Sequence, residues 1–380
     1  MDPVTASQDA WRETRRFLNR NRRPLTESAA KLYPDAPRVE GTLLLAPPAW
    51  MPPRPLDLDE VHLRWDGEAR AAATTGREPE SEAFRPLRCG RRRFETYAEA
   101  VTMLDRPRLL ENRPTYRLIG VDLAAGGGLT FGEGRYFDVM DVSEAVAHEY
   151  AAQVRERRVP GWPDLPFRSR IGDPFDLSRR PLTVAMSALT LRRDRAGTGA
   201  TFVLHWRDPE RVATGGGLHQ VMPVGVFQPA GDSAAARVND FDLWRGLVRE
   251  YSEEFLGAAE RTGDTGGVVR YDAWPFYQAM SRARSDGSIR VCCFGVGVDP
   301  LTLVADILCA AVFDPDVFDH LLGAAVEAND EGRVITAGGR HGVPFTEGAI
   351  AELLRDRPMQ PAGGAVLALA RRHRDLLLSP

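Results

Sequence analysis

The chain has 380 residues, 43% of them apolar and 27% charged, with a formal net charge of −4. That length allows two or three domains, or one domain with large extensions, and the composition is that of an ordinary globular protein. A charge balance so close to neutral, with a pI near 6.0, gives no global electrostatic case for nucleic acid. No run of about 18 apolar residues exists, which excludes a conventional membrane-spanning helix. The first residues lack the basic-then-apolar order of a secretory signal. The four cysteines, Cys89, Cys292, Cys293 and Cys309, have neither Cys-x-x-Cys nor zinc spacing and read as reduced thiols, so the cytoplasm is the expected compartment. Lys31 is the only lysine. With the abundance of Ala, Gly and Pro this points to a high-GC genome of actinobacterial type, which concerns codons and not function.

From residue 10 to 33, Trp11, Phe17 and Leu18, then Leu25, Ala29 and Leu32, predict two short helices broken at Pro24. The basic residues from Arg12 to Lys31 fit a solvated helix face or a protein contact better than a phosphate site. Residues 34–55 are proline-rich and read as an extended connector anchored by Leu43, Leu44, Leu45 and Trp50. Alternation over 61–65 predicts a strand, and 97–104 a short helix. Residues 114–123 form a further strand. Gly126, Gly127 and Gly128 make a turn and not a phosphate loop, because no Lys-Ser/Thr follows. In the run Leu129 to Asp138, Phe131, Tyr136 and Phe137 read as strand residues with one face in the core. A helix from Val142 to about Val154 follows.

Strands are expected at 184–192 and 201–207, joined by a turn at 195–199, with His219 starting another before Pro223. Leu243, Trp244, Leu247, Val248, Tyr251 and Phe255 then recur at three- and four-residue steps, the helical period. Asp240 or Asp242 can cap this helix, and Gly257 can end it. Its other face carries Arg249, Glu250, Glu253 and Glu254. Like charges at such spacing cost roughly 0.2–0.5 kcal/mol per pair, and a hard divalent cation would turn that repulsion into a binding site. Beyond it, 268–271 and 289–298 read as strands, and 301–313 as a buried strand or a strand after a turn. The region from Val334 to Leu354 reads as strand, loop and helix, with Thr346 as the cap, and Ala362 to Leu378 as a closing helix.

Arg249-Glu250-x-x-Glu253-Glu254 resembles the Arg-Glu-x-x-Glu-Glu centre of the Nudix box, the helix with which Nudix hydrolases hold magnesium. Residues 217–229, with Pro223, Gly225 and Pro229 in register, resemble the family's Gly-x-Trp-x-x-Pro-Gly-Gly-x-x-Glu-Pro strand and loop. Three departures stand beside the match. Phe241, flanked by Asp240 and Asp242, occupies the place of a further family Glu. Residues 230–239 form an insertion, and two residues, Phe255 and Leu256, separate Glu254 from Gly257 where the family has one.

The resemblance implies an α+β chain with a Nudix-type α/β/α sandwich and mixed sheet over 181–380. A helical segment and Pro-rich connector (1–60) and a strand-containing α+β region (61–180) precede it. It implies metal-dependent hydrolysis of a nucleoside diphosphate linked to another group. Glu250, Glu253 and Glu254 are the implied ligands of Mg2+ or Mn2+, and Glu253, Glu254 and Arg249 the implied catalytic set. Arg249 would orient a glutamate, and Gly225 would let the loop approach the start of the helix closely. Gly225, His205 and Arg207, with Arg192 beside them, are expected substrate contacts, and Glu327, Glu331 or Glu347 a late acid. A nucleotide-type small molecule is the expected partner, with no membrane, no nucleic acid and a homodimer. Two alternatives stay open: a silent Nudix-fold ligand sensor in a regulatory protein, and a specialised-metabolism enzyme using the fold for other chemistry.

Overall fold

The computed structural model describes residues 2–107, 110–156, 159–207, 217–262, 267–323, 332–335 and 342–379, with the backbone alone at Arg207 and at 332–335. Helix α1 (Pro3–Arg20) begins with the Asp2 carboxylate accepting from the Thr5 amide at 3.2 Å, and α2 (Arg22–Ala29) follows at once. The break falls at Asn21, not at Pro24. Pro24 lies in the first turn of α2, where a missing N–H leaves no helical bond unmade. The arginine run is only partly a solvated face. Arg15, 1% exposed, bonds Asp105 at 2.7 Å and the Tyr97 hydroxyl at 3.4 Å. Arg22 grips both oxygens of Glu144. Trp11 stacks on His148, whose pKa burial pushes down to about 3, so that its ring stays neutral.

The connector ties this region to the remainder. Leu44 and Leu45 are fully buried, and Leu45 exchanges backbone bonds with Val298 at 2.9 and 2.7 Å. Strand β1 (Leu56–Asp57) follows, then β2 (His62–Trp65), the small hairpin β3 (Leu87–Cys89) and β4 (Arg92–Arg93), and α3 (Tyr97–Leu104), capped by Thr96. Strands β5 (Pro114–Val121) and β6 (Gly128–Arg135) pair antiparallel, and β2 joins β6 in parallel. The strand ends earlier than the sequence suggests, because Asp138 accepts the Arg135 amide and starts a helix. Tyr136 and Phe137 therefore sit in α4 (Tyr136–Val139), which runs through a wide turn at Met140–Glu144 into α5 (Ala145–Arg155); α6 (Pro166–Ile171) follows.

The large sheet is built on β7 (Val184–Arg193). The expected strand at 201–207 divides at Val203 into β8 (Ala200–Phe202) and β9 (Leu204–Arg207). The edge of β7 explains this. β8 pairs with Leu191–Arg193, while β11 (Val224–Val226) takes Ala185–Ser187 on the same edge, so the chain must leave between them. β9 instead pairs with β10 (His219–Val221) and β14 (Gly332–Ile335). Before β14 in the chain come α7 (Ala234–Asn239), α8 (Leu243–Glu250), α9 (Pro275–Ser285), β12 (Ile289–Val298), β13 (Ala305–Phe313) and α10 (Pro315–Leu322). Strand β15 (Val343–Pro344) and helices α11 (Glu347–Asp356), α12 (Pro361–Arg372) and α13 (Arg374–Leu378) close the chain.

The sheet order is β1-β12-β13-β7-β8-β15, with β11 also on β7; β13 and β7 are parallel and their neighbours antiparallel. The chain is thus α+β with a mixed sheet. Leu301 to Val304 form a turn and β13 follows it, the second of the two forms expected. Residues 268–271 are not a strand; Tyr271 opens a short 3-10 turn instead.

Alternation along β7 and β13 sends side chains to two layers. Met186, Ala188, Ile307 and Cys309 share a core with Leu247 and Val248 of α8 and with Tyr251 just after it. Leu189, Leu308, Ala310 and Val312 share another with Val366, Leu367 and Leu369 of α12. The first core extends from Trp11 to Leu322, so all three stretches of the chain contribute to it. Among the described residues, no helix is long and apolar enough to cross a membrane.

Candidate functional site at the end of helix α8

Helix α8 starts where Asp242 accepts the Arg245 amide at 2.9 Å. It buries Leu243, Trp244, Leu247 and Val248, with Trp244 donating to the Ser281 hydroxyl of α9 at 2.8 Å. Gly246 lets the helix pack closely there, since a Cβ would stand 2.8 Å from the Met186 methyl. After Glu250 the helix widens into a π-turn, Tyr251–Phe255, before Gly257 ends it at φ +62°. Wide turns of this kind absorb an extra residue, which matches the added residue between Glu254 and Gly257. Tyr251 anchors the turn through its hydroxyl and that of Thr190, 2.8 Å apart.

Three charged residues of this helix fasten to one short stretch of chain. Glu254 Oε1 accepts the Val224 amide at 3.2 Å. The Glu250 carboxylate lies against Gly225 so closely that a Cβ there would stand 1.9 Å from its Cδ. Arg249 donates to the Gln228 carbonyl at 2.6 Å. Gly225 does provide a close approach, but to the last turn of α8 and not to its start. Arg249 braces the loop backbone where a bond to a glutamate was expected.

Glu253 is placed differently. It is half-buried, with Arg249, Arg113, Glu260 and the backbone of Arg261 near it. Burial, and then Glu260, push its pKa up to about 7, against the pull of Arg249. The three glutamates therefore do not form one surface: Glu250 and Glu254 meet the 224–225 loop, and Glu253 meets the segment after the helix.

The acids that flank Phe241 are engaged elsewhere, or cap the helix. Phe241 packs among Trp65, Tyr116, Phe131 and Phe227, with ring centroids 5.0–6.0 Å away. Fully buried Asp240 accepts from the Ala230 amide, the Tyr271 hydroxyl and the Asn239 amide group. The insertion folds as a loop and α7, capped by Ser233. His205 is buried on β9, opposite Gln220. The Arg207 side chain, Glu327 and Glu331 lie outside the described residues. Arg192 pairs with Asp319 at 2.6 Å, and Glu347 is exposed at the start of α11.

Mg2+ needs only one or two protein carboxylates when substrate phosphates complete its shell. The donor chemistry of Glu250 and Glu254, and the glycine that makes room for one of them, fit such a two-carboxylate attachment. A cage of three does not assemble: among the described residues, no three His, Cys, Asp or Glu side chains converge.

Sequence reasoning missed the Val224 amide and the Gln228 carbonyl, because backbone groups carry no sequence signal. It also missed a cleft of about 510 Å3 at the other end of α8, lined by residues that include Val61, Trp244, Tyr277, Ser281 and Arg284. The four-residue steps Tyr277, Ser281 and Ser285 on α9 were its legible trace. Compared with protein-family models and with curated proteins, the chain matches none.

Proposed function

We propose that this chain is a Nudix-like hydrolase that uses Mg2+ or Mn2+ to cleave a nucleoside diphosphate linked to another group, acting in the cytoplasm. The observation that supports it most is the joint placement of Glu250 and Glu254 on residues 224 and 225, with Arg249 holding the loop at Gln228. Glu250 and Glu254 are the residues that would hold the cation. When bound, a divalent cation supplies charge neutralisation for the diphosphate and lowers the pKa of a coordinated water.

The chain's own part is positional. The Val224 amide fixes one oxygen of Glu254 and orients its carboxylate. Arg249, 7% exposed, ties α8 to the loop through a charge-assisted bond. Tyr251 and Thr190 hold the last turn against β7. The resemblance also carries the expectation of a homodimer, which sedimentation at several concentrations checks.

A second reading, a ligand sensor on the same fold, is favoured by one observation. Phe241 lies in an aromatic cluster where the family carries an acid, which removes a ligand from the set. One screen separates the two. Purified protein with Mg2+ or Mn2+ is offered dinucleotides, nucleotide sugars and nucleoside triphosphates, and phosphate or nucleotide release is read, with Glu254→Gln alongside. Release lost in the variant is the expected result. No release, with a nucleotide still raising the melting temperature, would reject the hydrolase and leave the sensor.

A further inference from the structure

On one edge of β7, β11 covers Ala185–Ser187 and β8 covers Leu191–Arg193, so Ala188 to Thr190 lie between them. The loop ahead of β11 closes this gap. The Ala188 amide donates to the Pro223 carbonyl at 3.0 Å, and the Thr190 hydroxyl donates to the Met222 carbonyl at 2.7 Å. The same hydroxyl lies 2.8 Å from that of Tyr251. Only one arrangement of protons serves all three groups. A carbonyl can only accept and Thr190 has a single hydroxyl proton, so that proton belongs to Met222. Thr190 Oγ1 then accepts from Tyr251, whose phenol burial keeps protonated by raising its pKa. The bonds therefore run in one direction, from Tyr251 to Thr190 to Met222. Thr190 is 1% exposed, and Tyr251 and Met222 are fully buried, so water has no access to replace either bond.

We propose that Thr190 is the positioning residue of the carboxylate pair: its hydroxyl sets the end of α8 and the 222–225 loop at the separation Glu250 and Glu254 need to share one cation. This rests on the hydrolase reading, because it concerns the ligands of the same cation. Tyr251 directly follows Glu250 and stands three residues before Glu254, while Met222 stands two residues before Val224 and three before Gly225. Each end of the bonded chain thus lies beside one side of the carboxylate contacts, Glu254 on the Val224 amide and Glu250 against Gly225. Thr190 itself sits on β7, opposite Ala311 of β13. A hydroxyl carried by a paired strand fixes position better than one carried by a loop. Both segments are therefore referred to one atom of the sheet. Groups that orient the ligands of a metal without touching it govern its affinity, and losing one costs about ten- to a hundredfold.

Four variants test this. Thr190→Val keeps the shape of the side chain and removes the hydroxyl, Thr190→Ser keeps the hydroxyl, and Tyr251→Phe breaks only the bond to the helix side. Val366→Ala, in the core on the other face of the sheet, lowers stability without touching the chain of bonds. Mn2+ binding is read by the loss of free-ion signal in electron paramagnetic resonance, and amide hydrogen exchange at Val224 is followed without metal. The expected result is binding about tenfold weaker in Thr190→Val, weaker also in Tyr251→Phe, and close to wild type in Thr190→Ser and Val366→Ala. Val224 should exchange faster in the first two and not in the others. Wild-type affinity in Thr190→Val, or in Tyr251→Phe should Thr190→Val not fold, would overturn the positioning role and leave the hydrolase reading. An equal loss in Val366→Ala would overturn it too, since stability alone would then govern the affinity. Absence of Mn2+ binding in the wild type would overturn the hydrolase reading and the positioning role with it.

Discussion

The two ends of helix α8 are held by different physics. At its start, Phe241 enters a cluster of four other aromatic rings, and Asp242 caps the first turn. At its end, charged side chains reach backbone groups of residues 224 and 228, and a glycine stands where any Cβ would displace a carboxylate. The first end is built for stability, since apolar contacts are non-directional and add up. The second is built for position, since each charge-assisted bond fixes an atom more than it stabilises the fold. Under the proposed hydrolase reading, Phe241 belongs to the core, and Glu250 and Glu254 are the residues that would hold the cation.

Substitutions at each end should separate these roles. Phe241→Ala should have the largest effect, lowering stability by about 3 kcal/mol in urea unfolding while leaving Mn2+ affinity unchanged. A parallel loss of Mn2+ affinity would join the two ends into one site. Asp242→Ala removes a cap and should lower stability by about 1 kcal/mol, again without touching the cation. Gly225→Ala should do the reverse. Its φ is not positive, and the group in the way is the flexible end of Glu250, so stability should change by less than about 1 kcal/mol. Mn2+ affinity should nevertheless fall about tenfold, equivalent to about 1.4 kcal/mol. Unchanged affinity would mean that the contact between Gly225 and Glu250 has no part in binding.

The same contrast explains what could be read in advance. The amphipathic period of residues 243–255 was legible because burial repeats with the turn of a helix. The identities of Glu250, Glu254, Gly225 and Arg249 were legible as a string. Their partners were not, because the Val224 amide and the Gln228 carbonyl look like any other backbone groups. The two residues between Glu254 and Gly257 were visible, but the π-turn at Tyr251–Phe255 was not. Elsewhere the strand at 201–207 was legible and its division at Val203 was not, since the division comes from β11 sharing the edge of β7. Arg15 and Arg22 read as surface charge because their partners, Asp105 and Glu144, lie far along the chain.

The most direct test of the central claim is the melting temperature as a function of Mn2+, for wild type and for Glu250→Gln with Glu254→Gln. A ligand that binds only the folded state stabilises it as its concentration exceeds the dissociation constant. The account predicts a saturable rise in wild type that is absent in the double variant. The same rise in both proteins, or in neither, would contradict it.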